Sequence, residues 1–139
     1  MMEEFEPPLI ACIVSTGDYS FTALSTNREC VVAIPGVALA DKAVKIGNCH
    51  GDGVDKFARF GLAALPASRV AAPLVGECFA NLECKVVDTS LVQSYGLFIL
   101  QVVQAWAVPG YKEVKTFHHR GYGEFVVDGR RLKLPSRMR

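Results

Sequence analysis

Two short clusters in this 139-residue chain carry residue types capable of chemistry. The first is "GNCHGDGVDKFARFGL", Gly47 to Leu62, which gathers Gly47, Gly51 and Gly53, the adjacent Cys49 and His50, and Asp52 ahead of an amphipathic run containing Lys56. Three readings compete: a metal site, a glycine-rich loop holding a phosphate, and a plain turn into a short helix. Metal is the weakest, because adjacent residues in an extended loop point apart and no third ligand follows at a known spacing. The second cluster, His118 and His119 beside Arg120, falls in a polar connector, where a solvated loop near an interface is favoured over catalysis. Five cysteines (Cys12, Cys30, Cys49, Cys78 and Cys84) form an odd set without CxxC spacing, so neither a disulfide framework nor a zinc ribbon is signalled. They read as mostly reduced and buried. No Ser-His-Asp or Cys-His spacing singles out a hydrolase site.

The elements that must position these residues read as strands more often than helices. "PPLIACIVS" predicts a core strand buried on both faces and bounded by the "STGD" turn. Asp18 and Ser20 can cap a short helix over "YSFTALSTNRE", with Phe21 and Leu24 on one face. "CVVAIPG" predicts a brief strand stopped by Pro35, and "ALADKAVKIGN" a small amphipathic helix with Gly47 as its C-terminal stop. Val54 to Phe60 offers Phe57 and Phe60 on one face of a further short helix, where Lys56 on its own reads as a surface lysine. "GLAALPASRVAAPLVGE" reads as loop. "NLECKVVDTSLV" alternates around Glu83 and Lys85, and "YGLFILQVVQAWAV" is the strongest strand, the two joined as a hairpin by a turn near Ser94 to Gly96. Trp106, on that long strand, reads as core or interface. Near the end, Asp128-Gly129 between two alternating runs predicts a tight hairpin turn. Strands with short helices between them predict a mainly β fold, a barrel-like sheet with peripheral helices.

Composition narrows the function classes. Half of the residues are hydrophobic, enough for one compact domain over residues 1–139. Fifteen Lys and Arg against fourteen Asp and Glu leave no broad basic field of the kind nucleic-acid binding needs. The apolar runs fall short of the roughly 18 residues of a spanning helix, and "MMEEFEPP" lacks the positive charge and apolar core of a signal peptide. A cytoplasmic protein with no nucleic-acid or membrane partner is the expectation.

The succession "FEPPLIACIVS", "DYSFTAL", "ECVVAIP", "GNCHGDGVDKFARFGL", "ANLECKVVD" and "YGLFILQV" resembles, in order and spacing, the flavin reductase-like family with its FMN-binding split-barrel fold. The closing "HHRGYGEFVVDGRRLKLPSRM" resembles the ending of one branch. The match covers nearly the whole chain, and its most specific part is the small-residue loop followed by "DKF".

The resemblance implies a homodimeric antiparallel barrel binding FMN near the subunit interface, with NADH or NADPH as hydride donor. It places Ser20 at the family's phosphate-holding helix start and Lys56 as a point charge toward the flavin or its phosphate. Tyr95 stands where relatives often have a His, able to donate a hydrogen bond and stack but not to act as a near-neutral acid or base. Asp52 departs from the family, replacing a cation with a carboxylate that would repel phosphate if turned inward. The segment relatives carry ahead of "FEPPLI" is also missing, so the expected barrel lacks its first strand or strands and the domain is N-terminally incomplete. The implied activity is NAD(P)H-dependent flavin reduction, in which the cofactor reacts and the protein orients, so no catalytic residue and no metal ligand is named. Two alternatives stand beside it: a flavin-binding electron-transfer module without reductase activity, and a shortened dimeric barrel that has lost flavin.

Overall fold

The computed structural model describes residues 2–130 and 134–135, with side chains from Glu6 onward. β1 (Met2–Phe5) pairs antiparallel with β2 (Pro8–Ile13), and α1 (Tyr19–Asn27) follows, ended by Arg28 in the left-handed conformation. β3 (Glu29–Ile34) stops ahead of Pro35, a 3₁₀ turn over Val37–Leu39 leads into α2 (Ala40–Gly47), and α3 (Lys56–Phe60) ends at Gly61. Then come β4 (Ala64–Leu65), β5 (Leu74–Val75), β6 (Ala80–Asp88), α4 (Val92–Tyr95), β7 (Leu97–Ala107), β8 (Phe117–Gly121) and β9 (Glu124–Val127). The main sheet has the order β1-β2-β7-β6-β3, every neighbouring pair antiparallel.

The core forms where the longest apolar strands meet α1. Phe98 and Leu100 of β7, Cys84 and Val86 of β6, Val92 of α4 and Leu24 of α1 make up its buried cluster. Phe21 meets Phe98 edge-to-face at 5.6 Å between ring centroids, an arrangement aromatic quadrupoles favour. Phe21 and Leu24 thus share the buried face that helical spacing assigns them. The β6–β7 ladder is interrupted by a bulge: Glu83 opposes Gln104 and Cys84 opposes Val102, which leaves Val103 as the extra residue. Such an insertion bends a strand and raises its local twist.

Several local expectations need correction. β2 is only partly buried, not covered on both faces. Gly47 is the last residue of α2 and not a left-handed stop, since Asn48 closes the helix at φ −82°. The segment read as loop after Leu62 contains β4 and β5, and Asn81 explains part of this: its side chain accepts from the Val75 N–H at 2.9 Å and donates to the Val75 carbonyl at 3.1 Å, imitating a strand partner. β6 and β7 pair antiparallel as expected, and the turn near Ser94 to Gly96 takes the form of the helical turn α4. His118 and His119 lie in β8, not in a connector. Finally, Glu124–Val127 pairs upstream with β8 around Tyr122 and Gly123. The Asp128 N–H donates to the Thr116 carbonyl at 3.0 Å, so Asp128 continues that ladder, while the second arm expected beyond Gly129 lies outside the described residues.

Candidate functional site

Two adjoining concavities lie where α1, α2 and α3 meet. The larger, about 860 Å³, is walled mainly by apolar side chains, among them Val14, Leu24, Leu39, Phe57, Leu62 and Leu100. The smaller, about 610 Å³, is more polar and is lined by the Gly47–Gly51 stretch, by Asp18, and by Val54 and Asp55. Tyr19, Ser20, Ile46, Lys56 and Phe57 line both and form their shared boundary. Volumes of this size fall within the roughly 300–1,000 Å³ range of small-molecule sites.

Local sequence explains how the boundary is built. Asp55 caps α3, accepting from the Ala58 N–H at 3.1 Å, and the left-handed Gly61 ends the helix one turn later. This fixes Lys56 at the first helical position, from which its ammonium donates to the Ile46 carbonyl at 3.0 Å. A cation there also meets the negative end of α2. Ser20 lies in the first turn of α1, where Asp18 holds the N-cap position but its side chain makes no capping hydrogen bond. The donors at this helix start are therefore not taken up by the carboxylate. Gly51 closely approaches α1, since a Cβ there would stand 2.9 Å from Cδ1 of Tyr19 and push that ring aside. The small-residue loop thereby rests against the start of α1.

The structure brings Ser20 and Lys56 to one boundary, and it does not bring Tyr95 there. Tyr95 is 68% exposed at the end of α4 and lines neither concavity. Cys49 and His50 line the polar cleft, whereas Asp52 is exposed and outside its lining. Among the described residues, no group of three or more His, Cys, Asp or Glu side chains is placed to hold a metal ion.

Sequence reasoning missed the residues that hold the far wall. Glu83 is 0% exposed and accepts from the Ser68 N–H at 3.0 Å, the Arg69 N–H, the Val70 N–H at 3.2 Å and the Trp106 indole at 2.7 Å. Burial by itself would raise its carboxyl, but the Ser68 N–H, the indole, the Arg69 N–H and the Ser68 hydroxyl outweigh that and bring it from 4.5 to about 2. Glu29 accepts from the Ala71 N–H at 2.7 Å. Together these carboxylates anchor the segment carrying Ala72 and Pro73, which wall the apolar cavity. Alternation along β6 predicts the opposite environment for Glu83, and only the distant loop that covers it reverses the prediction.

The "Flavin reductase like domain" family model matches residues 1–125. The chain is 32% identical over 144 aligned positions to uncharacterized protein YddH of Escherichia coli K12, covering 95% of this chain and 76% of that protein. Among solved structures, an FMN-binding domain of a flavin reductases-like enzyme from Shewanella baltica OS155 superposes with TM-score 0.86 at 21% identity, over 96% of this chain and 78% of that one. Flavoredoxin of Desulfovibrio vulgaris (Miyazaki F) does so with TM-score 0.85 at 23% identity, over 96% and 77%. The five-stranded antiparallel sheet with its short helices is thus the split barrel of these proteins, and with nearly all of its length matched the chain belongs to the flavin reductase-like family.

Proposed function

We propose that the chain binds FMN at the boundary of the two concavities and supports its reduction by NADH or NADPH. The observation that carries this reading is the placement of Ser20 and Lys56 together, between a polar cleft and a large apolar cavity, in a chain of this family. The donor set fits the group. Ser20, the uncapped start of α1 and the Lys56 ammonium would hold the phosphate end, and the apolar walls would take the ring. Asp18 brings one carboxylate to the cleft rim, and Asp55 is occupied as a helix cap.

The chemistry supplied by FMN when bound is acceptance of a hydride from the nicotinamide and delivery of the electrons to a further acceptor. The chain's own residues bind and orient. Leu24, Leu39 and Phe57 exclude water from the cavity, Lys56 offsets negative charge while staying hydrogen-bonded to α2, and no side-chain acid or base is needed. We assign self-association to the same reading, with exposed Tyr95 and Ile13 (74% exposed) at the surface that a second copy covers. One observation favours a second reading, an electron carrier that does not use nicotinamide: the flavoredoxin superposes almost as well as the reductase-like domain.

Titration of the purified chain with FMN, followed by quenching of flavin fluorescence, tests the site. Lys56→Ala is expected to weaken binding by about 10- to 100-fold, corresponding to the roughly 1.5–3 kcal/mol of a charge-assisted contact. Ser20→Ala is expected to weaken it less, since backbone donors remain. FMN-dependent NADH or NADPH oxidation then separates reductase from carrier. A folded protein that binds no FMN would show instead a barrel that has lost its flavin.

A further inference from the structure

Cys30 on β3 and Cys84 on β6 stand directly opposite each other in antiparallel register. The Val86 N–H donates to the Arg28 carbonyl at 2.9 Å, so Cys30 and Cys84, two residues further along each strand, belong to the same hydrogen-bonded class of pair. Cα atoms in that class lie about 5.5 Å apart, with both side chains on one face. A disulfide spans Cα separations of about 4.4–6.8 Å, which this class of pair meets, but it needs Cβ atoms about 3.5–4.5 Å apart, so joining the two sulfurs requires the strands to close locally by up to about 1 Å.

The two thiols are unequal. Cys30 lines the large apolar cavity and is open to small molecules from it. Cys84 is fully buried behind it in the core. The Cys84 thiol donates to the Leu82 carbonyl at 3.5 Å. The closeness of the two sulfurs lowers the Cys30 pKa against the opposing effects of burial and Glu29, and raises that of Cys84. Cys12 lines the cavity too, but burial and then Cys30 push its thiol up, and its partner in register is Phe98, not a cysteine.

We infer that Cys30 and Cys84 form a peroxide-oxidisable dithiol, with Cys30 the sulfur that meets peroxide from the cavity and Cys84 the resolving thiol. In the first step the Cys30 sulfur attacks one oxygen of hydrogen peroxide. An S–O bond forms, the O–O bond breaks, and the departing oxygen leaves as water with the Cys30 proton. In the second step the Cys84 sulfur attacks the Cys30 sulfur. The S–S bond forms, the S–O bond breaks, and the oxygen leaves as a second water with the Cys84 proton. Two thiols lose two electrons and one peroxide gains them. The product ties β3 to β6 beneath the cavity wall. None of these steps needs flavin in the cavity, so the inference stands apart from the proposed function.

The test treats the purified, reduced chain with hydrogen peroxide, counts thiols under denaturing conditions and maps linked peptides by mass spectrometry. The protein is expected to lose two of its five thiols and to yield a Cys30–Cys84 linked peptide that a thiol reductant reverses. Cys84→Ala, which leaves Cys30 without its resolving partner, is expected to give a Cys30 sulfenic acid trapped by dimedone. Retention of all five thiols would overturn the inference, and so would a bond joining Cys30 to Cys12 in place of Cys84. The unmutated chain decides both outcomes even if the variant fails to fold.

Discussion

Glu83 takes its hydrogen bonds from neutral donors: three backbone N–H groups, a hydroxyl and an indole. Each of these favours the ionised carboxylate, so its pKa in the folded chain, about 2, lies below the ordinary 4.5. A depressed carboxylate contributes stability that is fully present above the unfolded value and is lost as pH falls from about 4.5 toward about 2. Asp128 adds to the same trend, brought from 3.8 to about 2 by the Thr116 hydroxyl, the Thr116 N–H and His118. Glu83→Gln keeps the shape but replaces an acceptor with an NH₂ group facing donors. It is expected to be less stable at pH 7 and to lose part of the fall in stability between pH 7 and pH 3 when unfolded by denaturant. An unchanged acid dependence would place the linkage elsewhere. Ser20 and Lys56 were singled out through the family resemblance, and both sit at helix starts on the shared boundary of the two concavities. Glu83 was not, because its burial depends on a loop some fifteen residues away whose cover leaves no periodic trace.

At the level of elements, the helices and long strands were legible because each carries its own boundary chemistry. Pro35 lies just past β3, Asp55 and Gly61 bracket α3, and apolar residues run the length of β7. The connection between β6 and β7 was less so, since one helical turn has too few residues to show a period. Gly96 holds it together: it ends α4 at φ +64°, and a Cβ there would run into the Val14 carbonyl. The Val14 N–H in turn donates to the Gly96 carbonyl at 2.9 Å. Gly96→Ala is therefore expected to cost more than the roughly 1–2 kcal/mol of a left-handed non-glycine residue, seen as a lower melting temperature. A melting temperature equal to that of the unmutated chain would show that β2 and α4 separate without consequence. β4 and β5 escaped the sequence because two-residue strands are defined by what they meet, here Asn81, and not by their own pattern.

Across the whole molecule, β1 and β3 are the outer strands of the main sheet, and each leaves a row of backbone groups without a further strand among the described residues. Large apolar side chains, including Ile13 and Tyr95, remain exposed on the single chain. Edges and patches of this kind are ordinarily covered. The chain is expected to run as a dimer or higher oligomer in light scattering at dilute concentration, and a well-folded monomer would count against self-association. No helix among the described residues is long and apolar enough to cross a membrane. Trp106 is the only tryptophan in the chain, 42% exposed, and its indole N–H ends on the Glu83 carboxylate. The tryptophan emission of the protein, once separated from that of its four tyrosines, thus comes from a single fluorophore wired to the loop that walls the cavity, and its colour and lifetime become an optical gauge of whether that wall is seated, readable without a label.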